Sequence, residues 1–206
     1  MKAWRINKQR HARTAFSGEG ARLYGGRWNS PGASVVYVAE SQSLAVLEVL
    51  VHLDAPALLE KYMFLEVDFD ASLVIDLDRS SLPRNWQSDP VPETIQAIGD
   101  RWVLSGDSAV LRVPSVLVPE ESNFLLNLRH PDFWKIGISR PHAFRFDPRL
   151  ARRSDHARLR QRGHPAIQFP ARRSDLAFLV HTASCVLHAI ADRPLVNIQS
   201  DEAHSL

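Results

Sequence analysis

The 206-residue sequence predicts an α+β fold, and three observations lead there. Short apolar or alternating runs outnumber stretches with helical spacing, so strands should outnumber helices. The two kinds of element do not alternate regularly, which disfavours a doubly wound sheet. Proline, glycine and small polar residues punctuate the runs, as turns between strands require.

Taken in order, Trp4-Arg5-Ile6 reads as a first short strand, and the continuous apolar run Val35-Val36-Tyr37-Val38-Ala39 as a buried one. Ser41 fits the N-cap of a helix that carries Glu48 and ends near Asp54-Ala55-Pro56. Residues 62–69 begin apolar and then alternate, which is strand-like, and residues 73–77 give another strand. A polar, proline-containing loop spans residues 80–92. Pro92-Glu93 then opens a second helix through Ile95, Ile98, Trp102 and Val103. Residues 109–113, 116–118, 133–136 and 143–146 read as later strands.

An apolar fraction of 45% is ample for a packed core. The single cysteine, Cys185, excludes an intrachain disulfide and suits a reducing compartment. Residues 1–7 lack the apolar core of a signal peptide, and no segment approaches the roughly 20 apolar residues of a membrane span. A cytoplasmic location without membrane association is therefore expected. The net charge of +2 is unevenly spread. Residues 1–150 hold 17 Lys and Arg against 18 Asp and Glu, whereas residues 151–206 hold 8 against 5. The body thus shows no basic excess of the kind nucleic-acid binding needs, and no direct nucleic-acid contact is expected.

The composition changes after Leu150. Eight arginines fall within residues 149–173, and Ala-Arg-Arg-Ser-Asp occurs at both 151–155 and 171–175. Two copies are too few for a solenoid. An apolar stretch, 176–191, reads as a helix that packs on the body; its His181 and His188 lack a third ligand, so no metal site is expected. The division is a body of 1–150 and a basic extension of 151–206.

The densest signal lies in the body. Gly25-Gly26-Arg27-Trp28-Asn29-Ser30-Pro31-Gly32 is turn material that feeds the strand at 35–39, an arrangement that presents Arg, Trp and Asn at a strand end. Glu48 follows 21 positions after Arg27, embedded among Leu44, Ala45, Val46, Leu47, Val49, Leu50 and Val51. A carboxylate in such company asks for a partner or a task. Each residue also fits a plainer role. Glu48 fits a helix surface, and Arg27 an ion pair with Glu48 that ties turn to helix. Tyr37 fits the core, Ser115 a turn after Pro114, and Asn123 and Asn127 caps for backbone groups.

Gly-Gly-Arg-Trp-Asn, Val-Tyr-Val-Ala, Leu-Ala-Val-Leu-Glu, residues 105–115, Glu121-Ser122-Asn123-Phe124-Leu125-Leu126-Asn127 and Phe146-Asp147-Pro148-Arg149-Leu150 together resemble the RES-domain toxins of RES–Xre toxin–antitoxin pairs. The likeness covers about residues 1–150 in the family's order. It departs at Asn127-Leu128-Arg129-His130, where the family usually has Asn-Pro before the histidine. The resemblance implies an ADP-ribosyltransferase-like mixed β-sheet core flanked by helices, with NAD as substrate and no resident cofactor. It assigns Arg27, Glu48 and Ser115 to catalysis, and Arg27, Tyr37, Ser115 and Asn123 to NAD. It also implies an Xre-type helix-turn-helix antitoxin as partner, in a hetero-oligomer.

The chemistry of these side chains suits that assignment. Breaking the nicotinamide–ribose bond develops positive charge on the ribose, as glycoside cleavage does, and a fixed carboxylate stabilises it. A guanidinium matches pyrophosphate oxygens, and a tyrosine ring offers a stacking face. No Walker loop, dinucleotide-binding glycine motif, serine-hydrolase elbow or zinc spacing occurs, so NAD would be split and not recycled. Arginine-specific ADP-ribosyltransferases commonly carry a second glutamate two residues before the catalytic one. Val46 stands there, which disfavours an arginine acceptor. Transfer of ADP-ribose to another protein group, or an inactive antitoxin-binding module, are the alternatives.

Overall fold

The structure, a computed structural model, describes residues 1–53 and 60–150. The expectations for 151–206, including the duplicated pentapeptide and the 176–191 helix, lie outside the described residues.

The described chain is α+β, as expected. Eight strands, β1 (Lys2–Lys8), β2 (Val35–Ala39), β3 (Tyr62–Asp68), β4 (Val74–Asp76), β5 (Val110–Pro114), β6 (Ser122–Asn127), β7 (Gly137–Ile138) and β8 (His142–Phe144), form one sheet. Its order is β4-β5-β6-β2-β1-β3-β7, with β8 also on β3. β4 and β5 run parallel and the other pairs antiparallel, so the sheet is mixed. Among the described residues three α-helices flank it: α1 (Glu19–Tyr24), α2 (Gln42–Leu50) and α3 (Glu93–Ser105).

β2 is apolar along its whole length because both of its faces are covered. Val36 and Val38 enter one cluster with Val67, Phe69, Phe124 and Leu126. Val35 and Tyr37 point to the other face, where they meet Ile95, Trp102 and Leu125. The helix α2 begins as its sequence dictates: the Ser41 hydroxyl accepts from the Leu44 amide at 3.0 Å. Ala45, Glu48 and Val49 face inward. Its last helical residue is Leu50, earlier than the expected end near residue 54.

Three expectations need correction. Residues 116–118 form a turn and no strand, because the Ser115 hydroxyl accepts from the Leu117 and Val118 amides at 3.1 and 3.2 Å. Donors captured by a side chain cannot join a ladder. Residues 133–135 make one 3-10 turn, and the last strand lies at His142–Phe144, not at 143–146. β6 and α1 were not foreseen as elements. β6 is buried throughout, and the asparagines near both its ends disguise its strand character.

The sheet comes apart at one place. β2 meets β6 in five register pairs, and β1 meets β3 in seven. β1 and β2 share a single pair, Trp4 with Ala39. Beyond it the strands diverge, and the Arg5 guanidinium spans the gap, its Nη1 donating to the Tyr37 carbonyl at 2.6 Å.

Candidate active site

A small cleft opens where β1 and β2 diverge. Trp4, Arg5 and Ile6 of β1 form one wall and residues 37–39 of β2 the other; Glu48 of α2 and Asn123 of β6 supply polar groups.

Glu48 is buried, 6% exposed, so it does not belong to the helix surface. Its Oε1 accepts from Ser115 Oγ at 2.9 Å and from Asn123 Nδ2 at 2.7 Å. Two donors converging on one oxygen fix the carboxylate plane. Ser115, fully buried, shapes the turn after Pro114 and donates its hydroxyl to Glu48. Asn123 reaches Glu48 because it pairs with Ala39, at the last rung before the cleft. Asn127 has the plainer role. Its Nδ2 donates to the Val103 carbonyl at 3.3 Å, and its Oδ1 accepts from the Arg129 amide at 3.0 Å. Those bonds shape the segment where proline is missing from the resembling motif.

The glycine-rich turn is a device for holding Arg27. Gly25 has φ of +75°, where a side chain would be strained. A Cβ on Gly26 would lie 2.5 Å from the Tyr37 hydroxyl and 2.8 Å from Asn29 Oδ1. That hydroxyl donates to Asn29 Oδ1 at 2.7 Å and accepts from the Trp28 amide at 3.1 Å. Asn29 Nδ2 donates in turn to the Ala21, Ser30 and Ala33 carbonyls. From α3, Gln96 donates to the Gly26 carbonyl at 3.0 Å, and Asp100 accepts from the Ser30 amide at 2.9 Å. Gly99 lets α3 approach, since a Cβ there would stand 1.7 Å from the Trp28 carbonyl oxygen. The Tyr37 hydroxyl is thus committed to the turn, and the residue itself is among those lining the cleft.

Arg27 itself is 9% exposed. Its Nη1 donates to the Trp86 and Ser88 carbonyls at 2.8 and 3.3 Å. No carboxylate lies within ion-pairing distance of it among the described residues, so the expected alternative of an Arg27–Glu48 pair is not what the fold builds. Burial pushes the guanidinium below its ordinary pKa, and the more distant charges of Asp89 and Glu48 pull it back up. A buried cation without an ion pair is costly unless an anion arrives.

Two buried polar residues of β1, Arg5 at the cleft and Asn7 beyond it, were not foreseen from the sequence. Arg5 was legible only as part of a strand, and its place at the cleft depends on β1 parting from β2. Asn7, two residues further along β1, is buried with an Nδ2 that meets no acceptor among the described residues. No group of three or more His, Cys, Asp or Glu side chains suited to a metal occurs among the described residues. No described helix is long and apolar enough to cross a membrane.

Comparison with known proteins places this geometry. The fold is similar to the toxin in the M. tuberculosis MbcT–MbcA toxin–antitoxin complex, with a TM-score of 0.59 at 21% identity, covering 74% of this chain and 87% of that one. That likeness supports the ADP-ribosyltransferase-like fold class expected from the motifs. The RES-domain profile matches residues 2–147. The chain is 42% identical over 151 residues to Toxin Res of Yersinia enterocolitica, covering 73% of this chain and 99% of that relative. It is 36% identical over 157 residues to a Prs ADP-ribosylating toxin of Sphingobium, covering 73% and 97%. The chain belongs to the RES-domain family.

Proposed function

We propose that this chain is the toxin of a toxin–antitoxin pair and that it splits NAD at the nicotinamide–ribose bond. The single observation that carries the reading is the buried Glu48 carboxylate, held by Ser115 and Asn123 at the mouth of a parted sheet. In the reaction the bond between the nicotinamide nitrogen and ribose C1′ breaks, and its electron pair leaves with nicotinamide. C1′ becomes cationic, and Glu48 stabilises that charge electrostatically. Water then adds at C1′ and loses a proton, giving ADP-ribose. Loss of NAD arrests growth.

The other residues have supporting roles. Ser115 and Asn123 hold the carboxylate in place, so that it need not reorganise as charge develops. The Tyr37 ring flanks the nicotinamide end, and Arg27 takes pyrophosphate oxygens. Arg5 adds a cation at the cleft wall. NAD enters as substrate, and no resident cofactor or metal is needed for these steps. The naming of one relative as ADP-ribosylating favours a second reading, in which a protein group replaces water as acceptor. Phosphate is a third acceptor open to the same cation.

The partner we propose is an antitoxin that blocks the cleft; a toxin–antitoxin complex among the similar structures supports it. An Xre-type helix-turn-helix protein, forming a hetero-oligomer with this chain in the cytoplasm, fits the family resemblance.

Incubating the purified chain with NAD and separating the products tests the reading. Equimolar nicotinamide and ADP-ribose are expected with water as acceptor. Intact NAD after prolonged incubation, with and without phosphate or a cell extract, would remove the proposal.

A further inference from the structure

We propose that residues 82–91, the loop before α3, clamp Arg27 for phosphate binding, with Trp86 as the positioning residue. This rests on the reading of Arg27 as the group that takes the pyrophosphate.

The contacts are specific. Arg27 spends one nitrogen, Nη1, on the carbonyls of Trp86 and Ser88. Nε and Nη2 carry no bond to an acceptor among the described residues, which leaves two parallel donors for a pair of anionic oxygens. The carbonyls are aimed by the loop's own turns: the Trp86 amide donates to the Pro83 carbonyl at 3.0 Å, and the Ser88 amide to Asn85 at 2.9 Å. Trp86 fastens those turns to the body. Its ring lies 6.2 Å from that of Trp28, which is 1% exposed and adjoins Arg27 in sequence. Leu82 and Val91, at the loop's two ends, pack on the same core cluster. Asp89 sits on the same loop and is the largest charge drawing on the guanidinium.

The two tryptophans therefore couple the loop to the turn that carries Arg27. A long side chain has many rotamers, and one fixed on a single nitrogen keeps its fork pointed one way before the substrate arrives. A loop that only covers core would have no reason to place two carbonyls on the one buried cation of the turn.

The test uses the purified chain, W86A, W86F, R27K and the W86A/R27K double variant. NAD turnover gives KM and kcat; calorimetry with ADP and with nicotinamide separates the phosphate end from the base. In W86A the NAD KM and the ADP dissociation constant should rise about tenfold while kcat and nicotinamide binding stay within about twofold, the pattern of a misaimed binding group. W86F should recover most of the loss. In the R27K background, W86A should add nothing, since the two residues act through one contact. If W86A does not fold, W86L carries the same comparisons. An unchanged KM, an equal loss in the R27K background, or equal weakening of ADP and nicotinamide would overturn the clamp. Failure of the wild-type chain to cleave NAD would count against the functional reading alone, because the ADP arm still reports on Arg27.

Discussion

The two edges of β2 behave differently. Toward β6 the strand is laddered over all five residues; toward β1 it keeps one pair and then opens. The laddered edge brings Asn123 beside Ala39 and so sets the depth of Glu48's partners. The open edge supplies the cleft, and a side chain, Arg5, spans it where backbone bonds stop. One edge is a ruler and the other a doorway. Damage to the first should be read in stability, and damage to the second in chemistry.

The largest effect is expected at the open edge. Glu48→Gln keeps the shape and both donors' partner while removing charge, so nicotinamide release should fall by roughly 10²–10³-fold, the scale of one lost electrostatic stabiliser. Its melting temperature should stay near that of the wild type. Turnover like the wild type's would take Glu48 out of the mechanism.

At the laddered edge, Leu125 stands opposite Tyr37 and is fully buried. Leu125→Ala should cost about 2–5 kcal/mol in denaturant unfolding, as cavities in cores do. The folded fraction should keep its KM for NAD. A raised KM without loss of stability would erase the distinction between the two edges.

A smaller effect joins them. Tyr37→Phe leaves the Trp28 amide and Asn29 Oδ1 without their shared hydroxyl, at a cost of about 1–3 kcal/mol in stability. Its kcat should change little, because the ring face survives. A collapse of kcat with normal stability would mean that the hydroxyl touches the substrate directly.

The smallest effect is expected from ending the chain at Leu150. The matched relatives are nearly whole at about 150 residues, and every site candidate lies before that point. NAD cleavage and growth arrest in the absence of antitoxin should both persist. Folded but inactive protein would show that residues 151–206 complete the site.

Much of this site was legible in the sequence because its parts are local. Gly25 and Gly26 announced a turn, and its contents, Arg27 and Asn29, were what the turn delivers. Glu48 stood out through its apolar neighbours, and Ser41 marked the start of its helix. What stayed hidden depended on distant partners. Arg5 reads as an ordinary strand residue until β1 parts from β2. Trp86 and Ser88 meet Arg27 from 59 and 61 positions away, through carbonyls that any residue carries. Residues 116–118 misled because their apolar side chains signalled a strand, while the preceding hydroxyl had already taken their donors. Side-chain pattern shows which way a segment faces, but not whether its backbone is still available.

The central claim is that the parted edge of β2 is where NAD is split. A crystal structure with an uncleavable NAD analogue tests it most directly. The nicotinamide riboside should lie between β1 and β2, with C1′ against the Glu48 carboxylate and the phosphates on Arg27. An analogue bound with clear density elsewhere, with the β1–β2 cleft empty, would contradict it.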